Sequence, residues 1–433
     1  MIGTTMLVVS SEKLELLQLS TERHRMTDRL YYQDSFTREF QANVQSCQPA
    51  ADLWHVILDR TAFYPTSGGQ PHDLGTLAGI AVREVVENEA GDVVHVAEQS
   101  IPSGPAAGAI DWPRRFDHMQ QHTAQHILSA AFIETAKFET VSFHLGREVS
   151  TIDLAAPALV PRHLQEAERR ANEIIFEDRP VHIRYGTAAE LQAQGIRKTV
   201  DREGILRAID IENFDRQPCG GTHVGRTGQI GLLLLRKIEK QKQTWRVEFV
   251  AGYRALAAAR SDRELLAQAA ERIGCGMPEI PDVVAKILDE RRSAQRQIEK
   301  QSGQLAGFEA DRLHQAAFSR SSASASGGAN AARLVIAHIF DDADATYLRL
   351  VASALAKFDG AVALLGSRAN GAIVMASSAS AGVDVSEVFR QTVSARGGKG
   401  GGSKVQAQGS VPNAALLDEL LTAAVAQIAA GPK

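Results

Sequence analysis

The chain has 433 residues and a formal net charge of −4, with 44% hydrophobic and 23% charged residues. This length corresponds to about two to four domains, and the composition is typical of a globular protein. The balanced charge excludes a globally basic nucleic-acid binder of the histone type, so any RNA contact requires local basic patches. The three cysteines are far apart, which excludes a disulfide framework and fits a reducing cytoplasm. Because no apolar run approaches the roughly 18 residues of a membrane span, we expect a cytoplasmic protein that does not enter a membrane.

The first part of the chain predicts a small β domain after a short leader. Residues 1–25 show no clear pattern, so they are either a loose, disordered leader or precede a true start at Met26. Residues 26–110 alternate apolar and polar positions in short runs, and turns such as Gly91-Asp92 separate these runs. This pattern predicts an antiparallel β-barrel or sandwich.

Residues 111–260 combine helical and strand patterns. The segment from Asp117 to Lys137 has helical composition with Asp117 placed as the N-cap, and HLQEAERRANEIIFED predicts a second, amphipathic helix. Strand-like segments such as TVSFHLG, ILRAIDI and TWRVEFVAG surround these helices. Helices mixed with antiparallel strands indicate an α+β domain.

A heptad repeat marks the helical segment at 261–331. Its members are Val284, Arg291, Ile298 and Leu305. Such a repeat favours a helical hairpin or a short coiled coil, which Gly274 and the Pro278–Pro281 segment would divide into two helices. The Ser- and Ala-rich run at 319–331 predicts a flexible linker.

Residues 332–433 alternate buried-strand runs with helical spacing, which predicts a small α/β domain.

Two pairs of metal-binding residue types lie in the α+β domain. His122 and His126 are four positions apart on a predicted helix, so both imidazoles lie on one face, one turn apart. In CGGTH, Cys219 and His223 flank a turn whose glycines let both side chains turn inward. Imidazole nitrogens and a thiolate in a set of four ligands suit Zn²⁺ best, so we predict one zinc ion per chain.

The role of this zinc stays open at the level of sequence. A zinc protease needs Glu directly after the first His, and this chain has Thr123 there. Four protein ligands would close the coordination sphere of a structural zinc, whereas a catalytic zinc requires a loose or displaced ligand. His118, one turn before His122, is a group beside the ligands, a substrate contact or an exposed residue.

Several separate motifs resemble one family. HTAQHILSAAF, SFHLGREVSTIDL and QPCGGTHVGRTGQIGLL are similar to the editing domain of alanyl-tRNA synthetase. They are still more similar to its free-standing relatives, the alanyl-tRNA editing proteins called AlaX. FYPTSGGQPHDLGTL resembles the Gly-rich segment of the family's N-terminal barrel, and WRVEFVAGYRA resembles the segment that closes the editing domain. GGKGGG and VQAQGS resemble a tract of the synthetase's DHHA1 domain, with SKV in place of the usual Arg-Pro-Asp.

The resemblance covers most of residues 26–433 and implies a multidomain α+β fold of the long AlaX form. The family's zinc ligands fall on His122, His126, Cys219 and His223. The implied order is a leader (1–25), an N-terminal antiparallel β-barrel (26–110), an α+β zinc-containing editing domain (111–260), a helical hairpin or coiled-coil segment with a linker (261–331), and a C-terminal α/β, DHHA1-like domain (332–433).

The resemblance also implies an activity, the hydrolysis in trans of tRNA(Ala) mischarged with serine, with glycine as a second candidate. The segment before His118 is too short for the synthetase's aminoacylation domain, so we do not expect charging of tRNA. The DHHA1 domain is associated with tRNA binding and dimerisation, which makes tRNA(Ala) and a second copy of the chain the expected partners. Two alternatives are a non-catalytic tRNA-binding module with a structural zinc and a hydrolase of another small substrate.

In the family, a polar residue on the strand after the HxxxH helix reads the amino acid. The candidates here are Thr140, Ser142 and His144, with Gln125 on the helix as a further one. A group of this kind favours serine over alanine, because alanine leaves it without a hydrogen bond.

Glycine loops and basic side chains are the candidates for contact with tRNA, because glycine lets backbone N–H groups approach phosphates closely. For the first glycine loop, the alternative is a plain barrel turn. For the basic residues at the hairpin, the alternative is a solvated charged turn. The glycines are Gly68, Gly69, Gly397, Gly398, Gly400, Gly401 and Gly402. The basic residues are Arg236, Lys237, Lys240, Lys242 and Arg246 at a predicted hairpin, and Arg396, Lys399 and Lys404 in the C-terminal tract.

Overall fold

The computed structural model of the protein describes residues 26–197, 204–324 and 333–430. The predicted leader, residues 1–25, lies outside the described residues. The chain divides into two compact units, of which the first ends at Gln268 and the second begins at Ala269. Helices and strands are mixed in both units, which confirms the predicted α+β class.

A closed barrel of six strands forms the N-terminal part of the first unit and confirms the barrel prediction. The strands of this part are β1 (Asp28–Arg29), β2 (Glu39–Ala50), β3 (Leu53–Leu58), β4 (Arg60–Thr61), β5 (Gly75–Leu77), β6 (Ile80–Glu87), β7 (Val93–Ala97) and β8 (Gly104–Ile110), with a one-turn helix α1 (Leu30–Gln33). Around the barrel the order is β2-β3-β7-β6-β5-β8. The inward side chains of the alternating pattern, such as Val56, Val85 and Val93, are fully buried and form the core.

Helix α2 (Trp112–Ala136) follows the barrel directly and begins earlier than predicted. Its N-cap is Asp111, whose side chain accepts a hydrogen bond from the Arg114 backbone N–H. The prediction of Asp117 as the N-cap is therefore wrong. Pro113 is tolerated in the first turn because an N–H at that position has no helical partner, so the helix can start next to the barrel.

Two antiparallel sheets and three further helices follow in the described residues. The elements are β9 (Glu139–Leu145), β10 (Ser150–Ala155), α3 (Pro161–Phe176), β11 (Val181–Gly186), α4 (Ala188–Ala193), β12 (Leu206–Ile211), β13 (Asp215–Pro218), β14 (Leu233–Gln241), β15 (Thr244–Ala251) and α5 (Tyr253–Ile273), of which α5 extends past the end of the first unit at Gln268. The sheet orders are β14-β15-β10-β9 and β11-β12-β13. The core packs Leu128 and Phe132 of α2 and Ile174 of α3 against Phe249 of β15, and all four side chains are fully buried.

A five-stranded sheet with helices forms the second unit. Its elements are α6 (Ile280–Ser324), β16 (Leu334–Phe340), α7 (Ala345–Leu355), β17 (Ala361–Ser367), β18 (Ala372–Ser377), α8 (Val385–Thr392), β19 (Lys399–Gly402), β20 (Gln406–Ser410) and α9 (Leu417–Ala430). The order is β16-β17-β18-β20-β19, with β16 and β17 parallel and the other pairs antiparallel. Strands β17 and β18 are buried throughout, as their continuous apolar runs predict.

The predicted division of the helical segment at Gly274 is confirmed, but its coiled coil is not formed by the described chain. Val284, Ile298 and Leu305 of the heptad repeat are 41%, 56% and 59% exposed. A different stripe of α6 is buried instead, and it consists of Ala306, Ala310, Leu313 and Ala317. Its small side chains let the helix lie close to the core that includes β17 and α7, so packing follows the alanines rather than the heptad repeat.

Helix α6 extends to Ser324, inside the run at 319–331 that predicts a linker. The linker prediction is therefore wrong for 319–324, because alanine and serine in this run are compatible with a helix once the preceding turns are formed. Residues 325–331 lie outside the described residues. Among the helices that the structure describes, none has both the length and the hydropathy that a membrane crossing requires.

A buried ion pair joins the barrel to helix α2. Arg115 and Asp73 are both fully buried, and Arg115 Nε lies 3.0 Å from each carboxylate oxygen. The same guanidinium donates to the backbone carbonyls of Ser35 and Ala62. Because every contact links α2 to the barrel part, this pair fixes the start of the helix relative to the barrel.

We predict that Arg115→Met destabilises the first unit by about 3–5 kcal/mol, because it leaves the Asp73 carboxylate buried without its partner. Urea unfolding followed by circular dichroism measures the loss. The control is Arg83→Met, which removes the exposed pair with Glu98 and should cost less than about 1 kcal/mol. Equal losses in the two variants would contradict the anchoring role of Arg115.

Candidate metal centre and adjoining cavity

Four side chains with metal-binding groups converge in the first unit, and their ligand atoms all lie within 4.8 Å of one another. This His/Cys cluster consists of His122, His126, Cys219 and His223. Cys219 Sγ lies 3.5 Å from His122 Nε2 and 3.2 Å from His223 Nε2. With bonds of about 2.0–2.3 Å, the ligands of a tetrahedral zinc are about 3.3–3.8 Å apart, so the cluster could hold such an ion. The structure thus brings together the two pairs that the sequence singles out.

Two elements position the cluster. His122 and His126 lie on consecutive turns of α2, and Cys219 and His223 lie on the loop after β13. Gly221 in this loop sits against the first imidazole, where a Cβ atom would come within 2.2 Å of His122 Cε1. Only glycine lets the loop approach α2 this closely, which explains the residue between the two loop ligands.

Gln70 of the barrel part holds the imidazole of His122. Its Oε1 lies 2.9 Å from His122 Nδ1 and also accepts from the Thr222 backbone N–H, while its Nε2 donates to the Thr222 hydroxyl. Gln70 is fully buried. An amide oxygen only accepts, so His122 carries its proton on Nδ1 and presents the lone pair of Nε2 to the cluster.

Thr123 holds His223 in the same way. Its hydroxyl donates to the Met119 carbonyl oxygen at 2.8 Å, so its single proton is used there. The hydroxyl oxygen lies 3.1 Å from His223 Nδ1 and accepts from the Val224 backbone N–H. His223 therefore donates from Nδ1, and its Nε2 lone pair faces Cys219.

Asp215 and Arg197 stand behind His126. Asp215 Oδ2 lies 3.4 Å from His126 Nδ1, and Arg197 Nε donates to Asp215 Oδ1 at 2.7 Å. Burial raises the pKa of Asp215, but its hydrogen bond with His126 and the charge of Arg197 outweigh burial and lower it. The carboxylate is therefore ionised and accepts from Nδ1, which again leaves Nε2 for the cluster.

The electrostatics favour a thiolate at Cys219. Burial alone would raise the pKa of its thiol, but the adjoining imidazoles of His122 and His223 hold that pKa well below its usual value. A thiolate is the form that binds metals. A thiolate and three imidazoles whose Nδ1 atoms contact Gln70, Asp215 and Thr123 form a donor set that suits Zn²⁺.

A cavity of about 580 Å³ lies beside the cluster, and three cluster members line it. The lining residues are Gly68, His122, Gln125, His126, Ser129, Ile133, Glu139, Thr140, Val141, Ser142, Phe143, Arg197, Gln217, Pro218 and Cys219. Because polar side chains from α2, β9 and β13 meet in this space, a polar ligand can be bound next to the cluster.

Three of the four predicted pocket residues line the cavity, and one does not. Thr140 and Gln125 line the cavity and meet at Ser129, whose Oγ accepts from Thr140 Oγ1 at 2.8 Å and from Gln125 Nε2 at 2.9 Å. Ser142 also lines the cavity, but its hydroxyl donates to Asp153 at 2.6 Å. His144 is exposed and is not part of the lining.

A β-bulge at Val141 makes this arrangement possible. Ser142 and Thr140 pair with consecutive residues of β10, so Val141 is an extra residue in β9. In a regular strand, Thr140 and Phe143 would face opposite sides of the sheet. The bulge lets both face α2, where Thr140 reaches Ser129 and the Phe143 ring centroid lies 5.5 Å from that of His122.

The Gly-rich loop of the barrel packs against strand β9. Gly68 lines the cavity, and the Gly69 carbonyl accepts from the Leu145 backbone N–H at 3.0 Å. Gly69 has a φ of +82°, and a Cβ atom there would lie 2.9 Å from the Phe143 ring. The loop predicted as a plain turn or an approach to the pocket therefore borders the cavity.

Most of the predicted cations at the hairpin of β14 and β15 are held in ion pairs. These pairs are Arg236 with Asp262, Lys237 with Glu239, and Arg246 with Asp153. Lys240 instead lies over the Trp245 ring, 5.8 Å from its centroid. In the part of the chain that the structure describes, Lys240 and Lys242 form no ion pair with a carboxylate.

The C-terminal glycine tract forms an edge strand. In β19, a Cβ atom on Gly400 or Gly402 would come within 2.2 Å of a carbonyl oxygen of β20, so close strand pairing requires both glycines. Gly397 takes a φ of +83°, Gly398 packs against Val393, and Gly401 faces open space. Arg396 pairs with Glu419, whereas the exposed Lys399 and Lys404 form no ion pair with any described residue.

The residues that hold the cluster in place escaped sequence reasoning for different reasons. Gln70 belongs to the Gly-rich loop and Thr123 lies between the helical ligands, but neither pattern indicates a partner for an imidazole. Asp215 and Ser129 carry no distinctive spacing at all. Gln217, two residues before Cys219, would have been suggested only by its closeness to a ligand.

Comparison with known proteins decides the family. The family model described as "Threonyl and Alanyl tRNA synthetase second additional domain" matches residues 206–248, and the DHHA1 domain matches residues 331–430. The alanyl-tRNA editing protein Aarsd1 of Mus musculus is 30% identical over 62% of this chain and 69% of that protein. The chain belongs to the alanyl-tRNA editing protein family.

Further relatives agree with this family. The alanyl-tRNA editing protein AlaX-L of Pyrococcus horikoshii is 36% identical over 54% of this chain and 60% of that protein. An alanine--tRNA ligase of Thermococcus kodakarensis is 30% identical over 91% of this chain and 43% of the ligase. The chain thus spans less than two thirds of the length of these two relatives. The match at 331–430 confirms the predicted DHHA1-like domain.

We predict that Gln70→Leu weakens zinc binding by about 10- to 100-fold, because His122 loses the acceptor that orients its imidazole. Competition with a chromophoric chelator measures the dissociation constant. The control is Gln41→Leu, which changes an exposed glutamine on β2 of the same barrel. Unchanged zinc affinity in the Gln70 variant would contradict a positioning role for Gln70.

Proposed function

We propose that this protein hydrolyses tRNA(Ala) mischarged with serine, and with glycine as a second candidate, at the cavity beside a zinc-bound His/Cys cluster. The names of its relatives as alanyl-tRNA editing proteins support this activity. The observation that carries the proposal is the position of the cluster. His122, His126 and Cys219 form part of the cavity wall, and a purely structural zinc needs no adjoining cavity.

The reaction cleaves an activated bond. Water adds to the ester carbonyl, the bond to the terminal ribose oxygen breaks, and free amino acid and uncharged tRNA are released. Zinc held by the cluster would supply a Lewis-acid charge beside this ester. The protein's own part is to orient the aminoacyl group and to select it, because the ester is already reactive toward water.

Thr140 and Ser129 provide a means to recognise serine. Ser129 Oγ accepts two hydrogen bonds, from Thr140 and Gln125, so its own proton is free for the cavity. Thr140 Oγ1 donates its proton to Ser129 and keeps a lone pair. The hydroxyl of a bound serine can therefore donate to Thr140 and accept from Ser129, whereas alanine offers neither bond and glycine is small enough to enter.

Contacts with the tRNA body fall to cations that are free to bind phosphates. Lys240 and Lys242 serve this role in the first unit, and Lys399 and Lys404 serve it in the second. The paired cations Arg236, Lys237, Arg246 and Arg396 would first have to release a carboxylate, which makes them weaker RNA ligands. The homodimer expected through the C-terminal domain stays a prediction.

We predict that the purified chain deacylates Ser-tRNA(Ala) faster than Ala-tRNA(Ala), and that Cys219→Ala loses zinc and activity together. Release of labelled amino acid measures the rate, and mass spectrometry of the metal measures zinc. The control is Cys275→Ala, which alters a cysteine outside the cluster and should keep both properties. Failure to hydrolyse either Ser-tRNA(Ala) or Gly-tRNA(Ala) would refute the proposed activity, and activity without zinc would refute the metal's role.

We further predict that Thr140→Val lowers the preference for Ser-tRNA(Ala) over Ala-tRNA(Ala) by about 5- to 100-fold, because valine keeps the shape but not the hydrogen bond. The ratio of the two kcat/KM values measures this preference. The matched control is Thr135→Val on α2, where the hydroxyl donates to the Ala131 carbonyl and does not line the cavity. A preserved ratio in the Thr140 variant would remove this residue from serine recognition.

A further inference from the structure

Three buried glutamine amide oxygens lack a hydrogen-bond partner among the described residues, and two of them belong to side chains that line the cavity. These two are Gln125 Oε1 and Gln217 Oε1, whereas Gln120 does not line the cavity. Buried polar atoms in folded proteins are almost always paired, because an unpaired one weakens the fold. Two unpaired oxygens at one cavity therefore point to a ligand that supplies hydrogen-bond donors.

The surroundings fix which atom of Gln125 is available. The side chain is only 5% exposed, and its amide nitrogen donates to Ser129 Oγ at 2.9 Å. Its oxygen is thus left for the cavity. Gln217 comes from a different element, β13, where it pairs with Ile209 of β12 two residues before Cys219. Side chains from two elements of the fold therefore offer acceptors to the same space beside the cluster.

A ligand for these oxygens must donate hydrogen bonds. The aminoacyl ester carries such a group, since an α-amino group has a pKa of about 7.7–8.0 and is largely an ammonium at neutral pH. An ammonium group has three N–H donors on one nitrogen, and amide oxygens accept such charge-assisted bonds. We infer that Gln125 and Gln217 bind the α-ammonium group of the aminoacyl ester. This inference rests on the proposed deacylase function.

The placement agrees with the recognition of the serine hydroxyl. Gln125 and Ser129 are one helical turn apart on α2 and are joined by a hydrogen bond. In a seryl ester the ammonium and the hydroxyl are on adjacent carbons. The two groups can therefore be read by neighbouring side chains of one helix, Gln125 for the ammonium and Ser129 with Thr140 for the hydroxyl.

Two charged side chains also line the cavity. Arg197 repels an ammonium, and its guanidinium is held by Asp215. Glu139 attracts an ammonium, but it is exposed, so water weakens its charge. The buried amide oxygens are thus the acceptors that the fold keeps from water. It follows that the protein acts on free aminoacyl esters and spares those whose amino group is blocked, such as peptidyl-tRNA.

The test compares two esters of tRNA(Ala) that differ at one group. One is Ser-tRNA(Ala), and the other is its hydroxyacyl analogue, in which the amino group is replaced by a neutral hydroxyl. We expect Gln125→Leu and Gln217→Leu each to lower kcat/KM by about 10- to 100-fold for the seryl ester and less than about 3-fold for the hydroxyacyl ester. Because each ester is compared with itself between variants, the different reactivities of the two esters cancel.

The matched control is Gln120→Leu, which removes another glutamine of α2 whose Oε1 lacks a partner but which does not line the cavity. It should change both rates by the same factor. Gln125→Glu keeps an acceptor and should raise the preference for the seryl ester several-fold, which provides a second test if the leucine variants fail to fold or to bind zinc.

The outcomes separate this inference from the function on which it rests. Equal losses on the two esters in the leucine variants, or an unchanged preference in Gln125→Glu, would overturn the ammonium site alone. Loss of the preference in Glu139→Gln with its retention in Gln125→Leu would move the ammonium to the cavity mouth and also overturn it. No hydrolysis of Ser-tRNA(Ala) by the unaltered chain would overturn the proposed function and this inference together.

Discussion

The hydrogen bond between Gln70 of the barrel and His122 of helix α2 is the contact on which the rest of the site depends. It fixes the proton of the imidazole on Nδ1 and thereby aims Nε2 at the cluster. The same glutamine binds the hydroxyl and the backbone N–H of Thr222 beside His223, so one side chain contacts both the helix and the loop of the cluster. A small movement of the barrel relative to α2 would turn the imidazole away.

The barrel is therefore part of the site rather than an appended domain. Arg115 and Asp73 hold the first turns of α2 against it, and the helix then carries the two imidazoles about two and three turns farther along. Gly69 rests on Phe143 and closes the contact with β9 from the other side. These contacts explain why the predicted barrel and editing domains fall in one compact unit.

Three groups of side chains form the walls of the cavity. The cluster forms one, the hydroxyls of Thr140 and Ser129 form a second, and the glutamine oxygens reach in from α2 and β13. In the function proposed above, each wall would bind one part of an aminoacyl ester: the ester bond, the side chain and the ammonium. Discrimination in this scheme comes from unpaired polar groups, since an incorrect ester leaves one of them buried without a partner.

Local sequence patterns predicted much of the fold and the residues of the His/Cys cluster. Alternation over 26–110 predicted the barrel, and continuous apolar runs predicted the buried strands β17 and β18, because side-chain burial follows the period of the backbone. The spacing of His122 and His126 and the glycines of CGGTH indicated the two pairs that the structure brings together in the His/Cys cluster. The motifs also indicated the family and the DHHA1-like domain, both of which the comparisons confirmed.

Only the tertiary structure decided which groups act on those residues. Gln70, Thr123 and Asp215 become partners of the imidazoles through contacts that no local period encodes. In α6 the heptad repeat is exposed, and a stripe of mainly alanine side chains is buried instead, because close packing against the C-terminal core favours small side chains. Likewise, one bulged residue, Val141, determines that Thr140 faces the cavity. Local spacing indicated which residues could be metal ligands, because it depends on neighbouring positions alone, whereas long-range packing determined how those side chains are oriented.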